Sequence, residues 1–496
     1  MIEIKSKNFH TETVSAIFII ALVSFFILVN FAAGFIFPLF LAVMSAAFLI
    51  ALFYPRAGLY AVIFLTFIFE RFFALQPIIL GRAEYKLYPL DIIFIGVIGG
   101  IMLQFFQRTL TLRQNGGQAT LASPAGRLSQ KERELTAGDY FLMLFIALSA
   151  VYFIFSAFVF KNDFALAFSS FKNYAFYSLF YFAVLLLINN KETLARLLKF
   201  AAAGAAGIVF FVVYGILSGS GLWSEFTPLS TQGIRTLAFP HAFYLSMAVV
   251  FSLAYLAPDK SARAKKYLYF LVPVWIAGIL GSMMRHLWIG LFISIIFLYF
   301  IAPRKNKAAL RKIAANYFLA VLAIAVFIFY AAALFPHSGL SKNSAAALNA
   351  IGNRIASTAN VYDESILWRN AAWSSALKEY ARSPILGLGF GRKVFIEIGR
   401  YKNLVEIRNI HNSFLALLVQ TGILGTGLFI FFIWSTVKNA FKKARGKNDF
   451  GAFKLAALSV LVFHLIIFMF QPYLETNLLG IFFWINLGIL RSLRHS

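Results

Sequence analysis

The sequence predicts an all-α protein that crosses a membrane about 12 to 14 times, and three observations predict this fold class. Hydrophobic residues make up 61% of the 496 residues and charged residues only 13%, whereas soluble domains have roughly 45–50% and 25%. Apolar runs of about 20 residues, long enough to cross a bilayer as helices, recur along the whole chain. These runs are continuous rather than short and alternating, so we expect membrane helices and not membrane strands.

About 14 apolar runs are candidate membrane spans. The last run is short, and the second and third could form a re-entrant pair, so 12 spans is the alternative prediction. The candidate spans are residues 13–31, 35–53, 57–74, 89–106, 139–158, 174–189, 200–217, 237–257, 267–284, 286–302, 316–335, 411–436, 454–470 and 476–490.

The charge distribution predicts the orientation of these spans. The net charge is +26, but the Lys and Arg residues lie mostly in short loops between apolar runs, as orientation signals do, so we expect membrane lipids and no nucleic acid as partners. With the N-terminus in the cytoplasm, more than half of the 45 basic residues face the cytoplasm. Both termini are then cytoplasmic. The clusters that carry this prediction are Lys260/Arg263/Lys265/Lys266, Arg304/Lys305/Lys307/Arg311/Lys312 and Lys438/Lys442/Lys443/Arg445/Lys447.

Two loops are longer than the rest. Residues 107–138 are polar and basic and predict a flexible cytoplasmic linker. Residues 336–410 face outward in the predicted topology and have the pattern of a folded segment, because Ser365–Tyr380 has helical spacing of apolar residues and a glycine-rich stretch follows Pro384. The chain therefore divides into a helical core (1–335), a large outer loop (336–410) and C-terminal helices (411–496).

Three residues near the predicted outer ends of spans could carry chemistry. Ionised groups near membrane depth are costly, so Arg285 and Arg235 are candidates for binding an anion such as a phosphate, although each could instead be a side chain that reaches the lipid headgroups. His411 opens a span and could accept a proton near neutral pH, although a lone His there is commonly a structural cap.

Several other chemistries are not supported by the sequence. There is no Cys, no phosphate-binding Gly-x-x-x-x-Gly-Lys-Ser/Thr loop and no His-Glu-x-x-His zinc helix. The outward carboxylates are scattered and form no Asp-x-Asp pattern. We therefore expect neither a metal nor a cofactor, and no use of ATP within this chain.

Three motifs lie in the C-terminal half. Residues 411–415 read His-Asn-Ser-Phe-Leu, residues 421–425 read Thr-Gly-Ile-Leu-Gly, and upstream Trp368 is followed by the Pro-x-x-Gly-x-Gly of residues 384–389. The first two resemble signatures of the O-antigen ligases and polymerases, and the third resembles the outer-loop pattern of that family. The resemblance covers roughly residues 230–490. It departs at two places: Phe239-Pro240-His241 stands where the family tends to have Asn-Pro-Asn, and Met284-Arg285-His286 where it tends to have Ser-Arg-Gly.

The resemblance implies a membrane glycosyltransferase (GT-C-like) fold in the bacterial cytoplasmic membrane, with a partly helical outer loop and a site that faces the periplasm. It implies transfer of a glycan from an undecaprenyl-diphosphate-linked donor to an acceptor hydroxyl without a metal. By position, Arg235 and Arg285 would hold the diphosphate and His411 would orient or deprotonate the acceptor hydroxyl. Arg369, Asn412 and Arg408 are expected to bind substrate.

Three functions remain open from the sequence. An O-antigen ligase would use lipid A-core as the acceptor, and a polymerase would use a second lipid-linked glycan. Both need the same arginines and histidine, so the motifs do not distinguish them. A transporter of lipid-linked polysaccharide is the third reading, but such proteins commonly have internal repeats or broken helices at the midplane, and the candidate residues here lie at a membrane boundary.

Overall fold

The computed structural model describes residues 2–69, 78–80, 83–85, 88–114, 135–218, 221, 235–257, 263–337, 352, 364–398, 401–444, 451–476 and 478–492. Sixteen α-helices, two short hairpins, two π-helical turns (Phe155–Val159 and Lys172–Phe176) and one 3₁₀ turn (Ile407–Asn409) make up the regular structure of these residues. The helices are α1 (Ile2–Ala33), α2 (Phe37–Phe53), α3 (Pro55–Phe69), α4 (Pro89–Gln114), α5 (Ala137–Ile154), α6 (Phe164–Phe171), α7 (Leu179–Leu187), α8 (Lys191–Ser218), α9 (Phe239–Leu256), α10 (Arg263–Gly281), α11 (Arg285–Ile301), α12 (Arg304–Leu334), α13 (Glu364–Tyr380), α14 (Ser413–Ala444), α15 (Gly451–Phe468) and α16 (Leu479–Ser492). The strands are β1 (Ile78–Leu80), β2 (Ala83–Tyr85), β3 (Lys393–Ile398) and β4 (Tyr401–Glu406).

The helices confirm the prediction of a polytopic, mainly helical membrane protein. Within the described residues, eight helices are long and apolar enough to cross a membrane, and five shorter apolar helices accompany them. In the most apolar 18-residue stretch of α12, only 11% of the residues are buried inside the protein, so this stretch presents apolar side chains outward. A helix satisfies its own backbone hydrogen bonds, which is the condition for placing such a surface in lipid.

The helix limits differ from the predicted spans in several places, among them the following three. The helix α12 begins at Arg304 rather than near residue 316, so the basic cluster there lies on helical turns, and Pro303 is its N-cap. The helix α4 continues to Gln114 into the predicted linker, and residues 115–134 of that linker lie outside the described residues. The predicted span 174–189 is entered through a π-helical turn, Lys172–Phe176, that follows α6.

The segment between α12 and α14 contains a small folded unit. The predicted helix at 365–380 is confirmed as α13, and most of residues 338–363 lie outside the described residues. The hairpin β3–β4 was not predicted, although its register, Lys393 opposite Glu406, follows a period-2 pattern in which Val394 and Ile396 point inward. These elements share a core with the start of α14, formed by Ala372, Ala376, Val394, Ile396, Ile407, Ile410, Ala416 and Val419.

The glycine-rich stretch after α13 docks into a kink of α14. The kink is at Gly422, whose φ of 63° and ψ of −168° interrupt the helix. Its freed amides are satisfied by the stretch, since Ile423 N–H donates to Pro384 O at 2.9 Å and Leu424 N–H to Ile385 O at 3.2 Å. The amide of Leu388 donates to Val419 O at 2.9 Å, and the amide of Gly389 donates to Gln420 O at 3.0 Å. Tyr152 Oη donates to Thr421 O at 2.9 Å. The two motifs that suggested the family are therefore one hydrogen-bonded structure, because backbone groups buried in a membrane protein need partners.

A buried ion pair joins two helices at the far end of the bundle from this docked segment. Asp139, in the first turn of α5, is fully buried and lies 3.1 Å from the Arg491 guanidinium in the last turn of α16. Tyr181 Oη and the Thr136 hydroxyl also donate to the carboxylate. Thr136 and Asp139 form a capping box, so the same carboxylate starts one helix and holds the end of another. We call this group the Asp139–Arg491 pair.

Candidate functional site

Arg235 lies just before α9, and close backbone packing fixes its position. The amide of Thr236 donates to Gly281 O at 3.0 Å, and the amide of Gly221 donates to Arg235 O at 2.6 Å. A Cβ on Gly281 would lie 1.9 Å from Thr236 Oγ1, so the absence of a side chain there allows the two segments to meet. The Arg235 side chain is buried, and Nη1 lies 3.4 Å from Met284 Sδ, which places it beside the turn that carries Arg285.

Arg285 is the first residue of α11, after a tight turn from α10. Trp288 Nε1–H donates to Ile279 O at 2.9 Å across this turn, and Met283 adopts a left-handed φ of 56°. Such a conformation is uncommon for a residue with a side chain, and it costs of order 1–3 kcal/mol that the surroundings must offset. The result is a guanidinium at the start of a helix, where the unpaired amides and the helix dipole already favour an anion.

His411 lies two residues before α14 and is held by the segment that folds over it. Its own φ is 58°, and the Asn412 side chain caps the helix by accepting from the amides of Phe414 and Leu415, at 3.1 and 3.0 Å. The Trp368 ring of α13 meets the imidazole edge to face, with ring centroids 5.1 Å apart. Trp373 Nε1–H donates to Ile410 O at 2.8 Å, so α13 positions the backbone immediately before the histidine.

The three predicted catalytic residues come together with two more cationic or titratable side chains. The imidazole of His286, the second residue of α11, lies close enough to Arg235, Arg285, Arg369 and His411 to interact electrostatically with each of them. Arg369, on α13, also acts on His411. We call these five residues the cationic cluster. Its three guanidiniums carry charges of one sign, and three helices begin beside the cluster (α9, α11 and α14), so the region is suited to a multivalent anion.

The chain between α15 and α16 supports both histidines of the cationic cluster. Gln471 Oε1 lies 2.7 Å from His411 Nδ1, and Tyr473 Oη lies 2.6 Å from His286 Nε2. Glu475 is buried two residues further on and accepts hydrogen bonds from Tyr174, Ser170 and Gln420, at 2.5, 2.7 and 2.6 Å. Burial raises the pKa of the Glu475 carboxyl, and these three hydrogen bonds oppose the rise.

Burial also sets the protonation of His411. Removal from water lowers the pKa of the His411 imidazole below its ordinary value, the hydrogen bond to Gln471 opposes this effect, and the nearby Arg369 charge adds to it. A neutral ring is therefore favoured at neutral pH. A neutral imidazole keeps one nitrogen without a proton, as a proton acceptor requires.

The other residues predicted to bind substrate have structural contacts of their own. Arg408 Nε donates to Glu406 at 2.5 Å and Nη1 donates to Ser169 at 2.9 Å, and the Asn412 oxygen is used in the helix cap. Sequence reasoning missed His286, Gln471, Tyr473 and Glu475. The signal that could have revealed the last three is a polar stretch, residues 471–477, that separates two apolar runs.

Among the described residues, no group of three or more His, Asp or Glu side chains could hold a metal ion. No curated protein matches the chain. The model of the family described as O-antigen ligase matches residues 269–430, a segment that contains Arg285, His286, Arg369 and His411. The resemblance expected from the sequence is therefore confirmed: this multi-pass membrane protein carries, over residues 269–430, a domain of the O-antigen ligase and polymerase family.

Proposed function

We propose that this protein transfers a glycan from undecaprenyl diphosphate to an acceptor hydroxyl, and that it is an O-antigen ligase whose acceptor is lipid A-core. One observation supports the proposal: Arg235 Nη1 lies 3.4 Å from Met284 Sδ, beside Arg285, and His286 interacts with both arginines and with His411. The family match over residues 269–430 supports the same substrate class.

The donor's diphosphate is assigned to the guanidiniums of Arg235 and Arg285. When the glycosidic bond breaks, the electron pair leaves with the diphosphate oxygen, so negative charge grows on the leaving group. Planar guanidiniums can hold phosphate oxygens bidentately, and in a site withdrawn from water they stabilise this growing charge. They take the part that a divalent cation plays in many phosphate enzymes. Arg369 extends the positive surface on the side of α13.

The acceptor is assigned to His411. Its neutral imidazole accepts the proton of the acceptor hydroxyl while the hydroxyl oxygen bonds to the anomeric carbon of the sugar. Atoms balance, since the C–O bond to the diphosphate breaks, one C–O bond to the acceptor forms, and the proton moves to the ring. The imidazolium that results lies near the newly charged diphosphate and can return its proton to that product or to water.

The distribution of basic residues supports an assignment of the site to one face of the membrane. The cationic cluster lies where α11 begins, and the exposed Arg304, Lys305, Arg311 and Lys312 follow the other end of that helix. Short basic clusters favour the cytoplasm, so we assign that end to the cytoplasm and the cluster to the periplasmic face of the bacterial cytoplasmic membrane, with both termini cytoplasmic. There a lipid-linked donor can approach from the bilayer and a saccharide acceptor from the periplasm.

Reconstituted protein tests this function. Purified protein is incubated, with EDTA in excess, with an undecaprenyl-diphosphate glycan and either lipid A-core or a second portion of the donor. We expect a glycosylated lipid A-core and free undecaprenyl diphosphate. Extension of the glycan on its own lipid would assign a polymerase instead. Absence of transfer to both acceptors, or transfer that requires added magnesium, would contradict the proposal.

A further inference from the structure

Three residues at every second position between α15 and α16 each contact a different part of the candidate site. The side chains of Gln471, Tyr473 and Glu475 contact His411, His286 and the Ser170/Tyr174/Gln420 group in turn. This segment lies outside the matched family domain at 269–430. We call it the 471–475 segment.

The contact between Gln471 and His411 determines which ring nitrogen carries the proton. The Gln471 atom that faces the ring is the carbonyl oxygen Oε1, 2.7 Å from Nδ1. A carbonyl oxygen can only accept, so Nδ1 must carry the hydrogen, and a neutral ring then leaves Nε2 as the proton acceptor. Within the described part of the chain, Gln471 is the one hydrogen-bond partner of this ring.

We propose that Gln471 is a positioning residue that holds His411 in the tautomer with Nδ1 protonated and Nε2 free to accept a proton. The catalytic consequence of this inference rests on the function proposed above, because His411 is the proton acceptor in that reaction. The statement about the tautomer itself rests on the geometry alone.

Gln471 is fixed well enough to act in this way. Its backbone carbonyl accepts from Ser413 Oγ at 2.9 Å, and that hydroxyl oxygen in turn lies 3.3 Å from the amide of Leu474, so the segment is tied to the first residue of α14. Glu475 holds the other end of the segment through its three side-chain hydrogen bonds, and its carbonyl accepts from Asn173 Nδ2 at 3.1 Å. The segment and the histidine are thus attached to the same helix end.

The charge that faces His411 is that of the Arg369 guanidinium on α13, so it matters that Gln471 is neutral. The His286 imidazole of α11 also interacts with the ring, and Trp368 contributes an uncharged ring. A carboxylate in place of Gln471 would also fix the tautomer, but it would favour the protonated imidazole. An amide orients the ring without adding that charge, so the ring stays ready to accept a proton.

Two substitutions and a spectroscopic measurement test this inference. Protein with ¹⁵N-labelled histidine rings, in which His411 is assigned by comparison with His411→Gln, should show Nδ1 protonated and Nε2 unprotonated at neutral pH. Gln471→Met keeps the volume and removes the acceptor, so the signals should show mixed tautomers and transfer should fall roughly 10–100-fold. Gln471→Glu should keep the tautomer and move the acidic limb of the pH–rate profile upward by about one to two pH units, because the carboxylate favours the protonated ring.

The outcomes separate this inference from the proposed function. Wild-type protein with Nε2 protonated, or Gln471→Met protein with the wild-type tautomer and wild-type transfer, would overturn the positioning role. A uniform loss of transfer in Gln471→Glu with no change in the pH profile would also contradict it, because a purely structural residue would behave that way. If wild-type protein shows the expected tautomer but transfers no glycan, the proposed function fails and the assignment of the tautomer stands.

Discussion

Two groups of charged side chains at opposite ends of the bundle differ in composition. The Asp139–Arg491 pair combines one carboxylate and one guanidinium, and Tyr181 and Thr136 donate to the carboxylate, so its charges offset each other. The cationic cluster instead brings the guanidiniums of Arg235, Arg285 and Arg369 together beside helix starts, and Arg285, Arg369 and His411 are only half-buried. Positive charge at helix N-termini suits a bound anion. We therefore propose a structural role for the pair and ligand binding for the cluster.

The largest effect on activity is expected from His411→Ala. Loss of a general base typically reduces the rate about 10²–10⁴-fold, whereas the helix cap belongs to Asn412 and remains in place. The measurement is transfer by the purified variant, with its thermal unfolding as the control. Near-normal transfer by folded His411→Ala protein would remove histidine from the mechanism and leave an electrostatic site built on the arginines.

The largest effect on stability is expected from Asp139→Asn. It leaves Arg491 as a buried charge with its carboxylate removed, and breaking such a pair costs roughly 3–5 kcal/mol. The melting temperature of the variant in detergent should fall strongly, while transfer per folded molecule stays unchanged because the pair lies at the far end of α16. A stable variant with impaired transfer would reverse the roles that the comparison assigns.

A smaller effect on stability is expected where the outer segment meets α14. In Gly422→Ala the new Cβ would lie 2.2 Å from Ile385 O at a φ of 63°, so the variant should lose roughly 1–3 kcal/mol of stability. Gly427→Ala, on the same helix, is the matched control, since no atom lies within 4 Å of its Cβ. Equal melting temperatures for the two variants would show that the docked segment does not depend on the kink.

The sequence singled out those residues of the candidate site that are costly in a membrane. Arg235, Arg285 and His411 were identifiable because an ionisable group beside an apolar run needs a reason to be there. Gln471 and Tyr473 carry no such cost, and Gln471 lies 60 residues from the histidine that it contacts. Their contacts depend on which helix ends pack together, and this packing cannot be predicted from apolar periodicity.

The fold was also predicted in part, namely for the elements that a membrane requires. Apolar runs indicate helices because a helix that crosses the bilayer needs about 20 consecutive apolar residues. The helix α13 was recognisable from the helical spacing of its apolar residues. The hairpin β3–β4 was missed, although Val394 and Ile396 alternate with the exposed Lys393, Phe395 and Glu397, because strands of six residues give a short pattern. The kink at Gly422 was visible as a motif, but its hydrogen bonds to the residues after Pro384 are tertiary.

Binding of undecaprenyl diphosphate tests the central claim that the arginines of the cationic cluster form a diphosphate site. Affinity is measured for wild-type protein and for Arg285→Lys, with His411→Ala and Arg491→Lys as comparisons. Lys keeps the charge but lacks the planar fork, so Arg285→Lys should bind roughly 10–100-fold more weakly, in line with the loss of charged hydrogen bonds worth about 1.5–3 kcal/mol. His411→Ala, which alters the acceptor side, and Arg491→Lys, at the balanced pair, should bind as wild type does. Wild-type affinity in Arg285→Lys would contradict the account, because a side chain that only reaches the lipid headgroups tolerates that change.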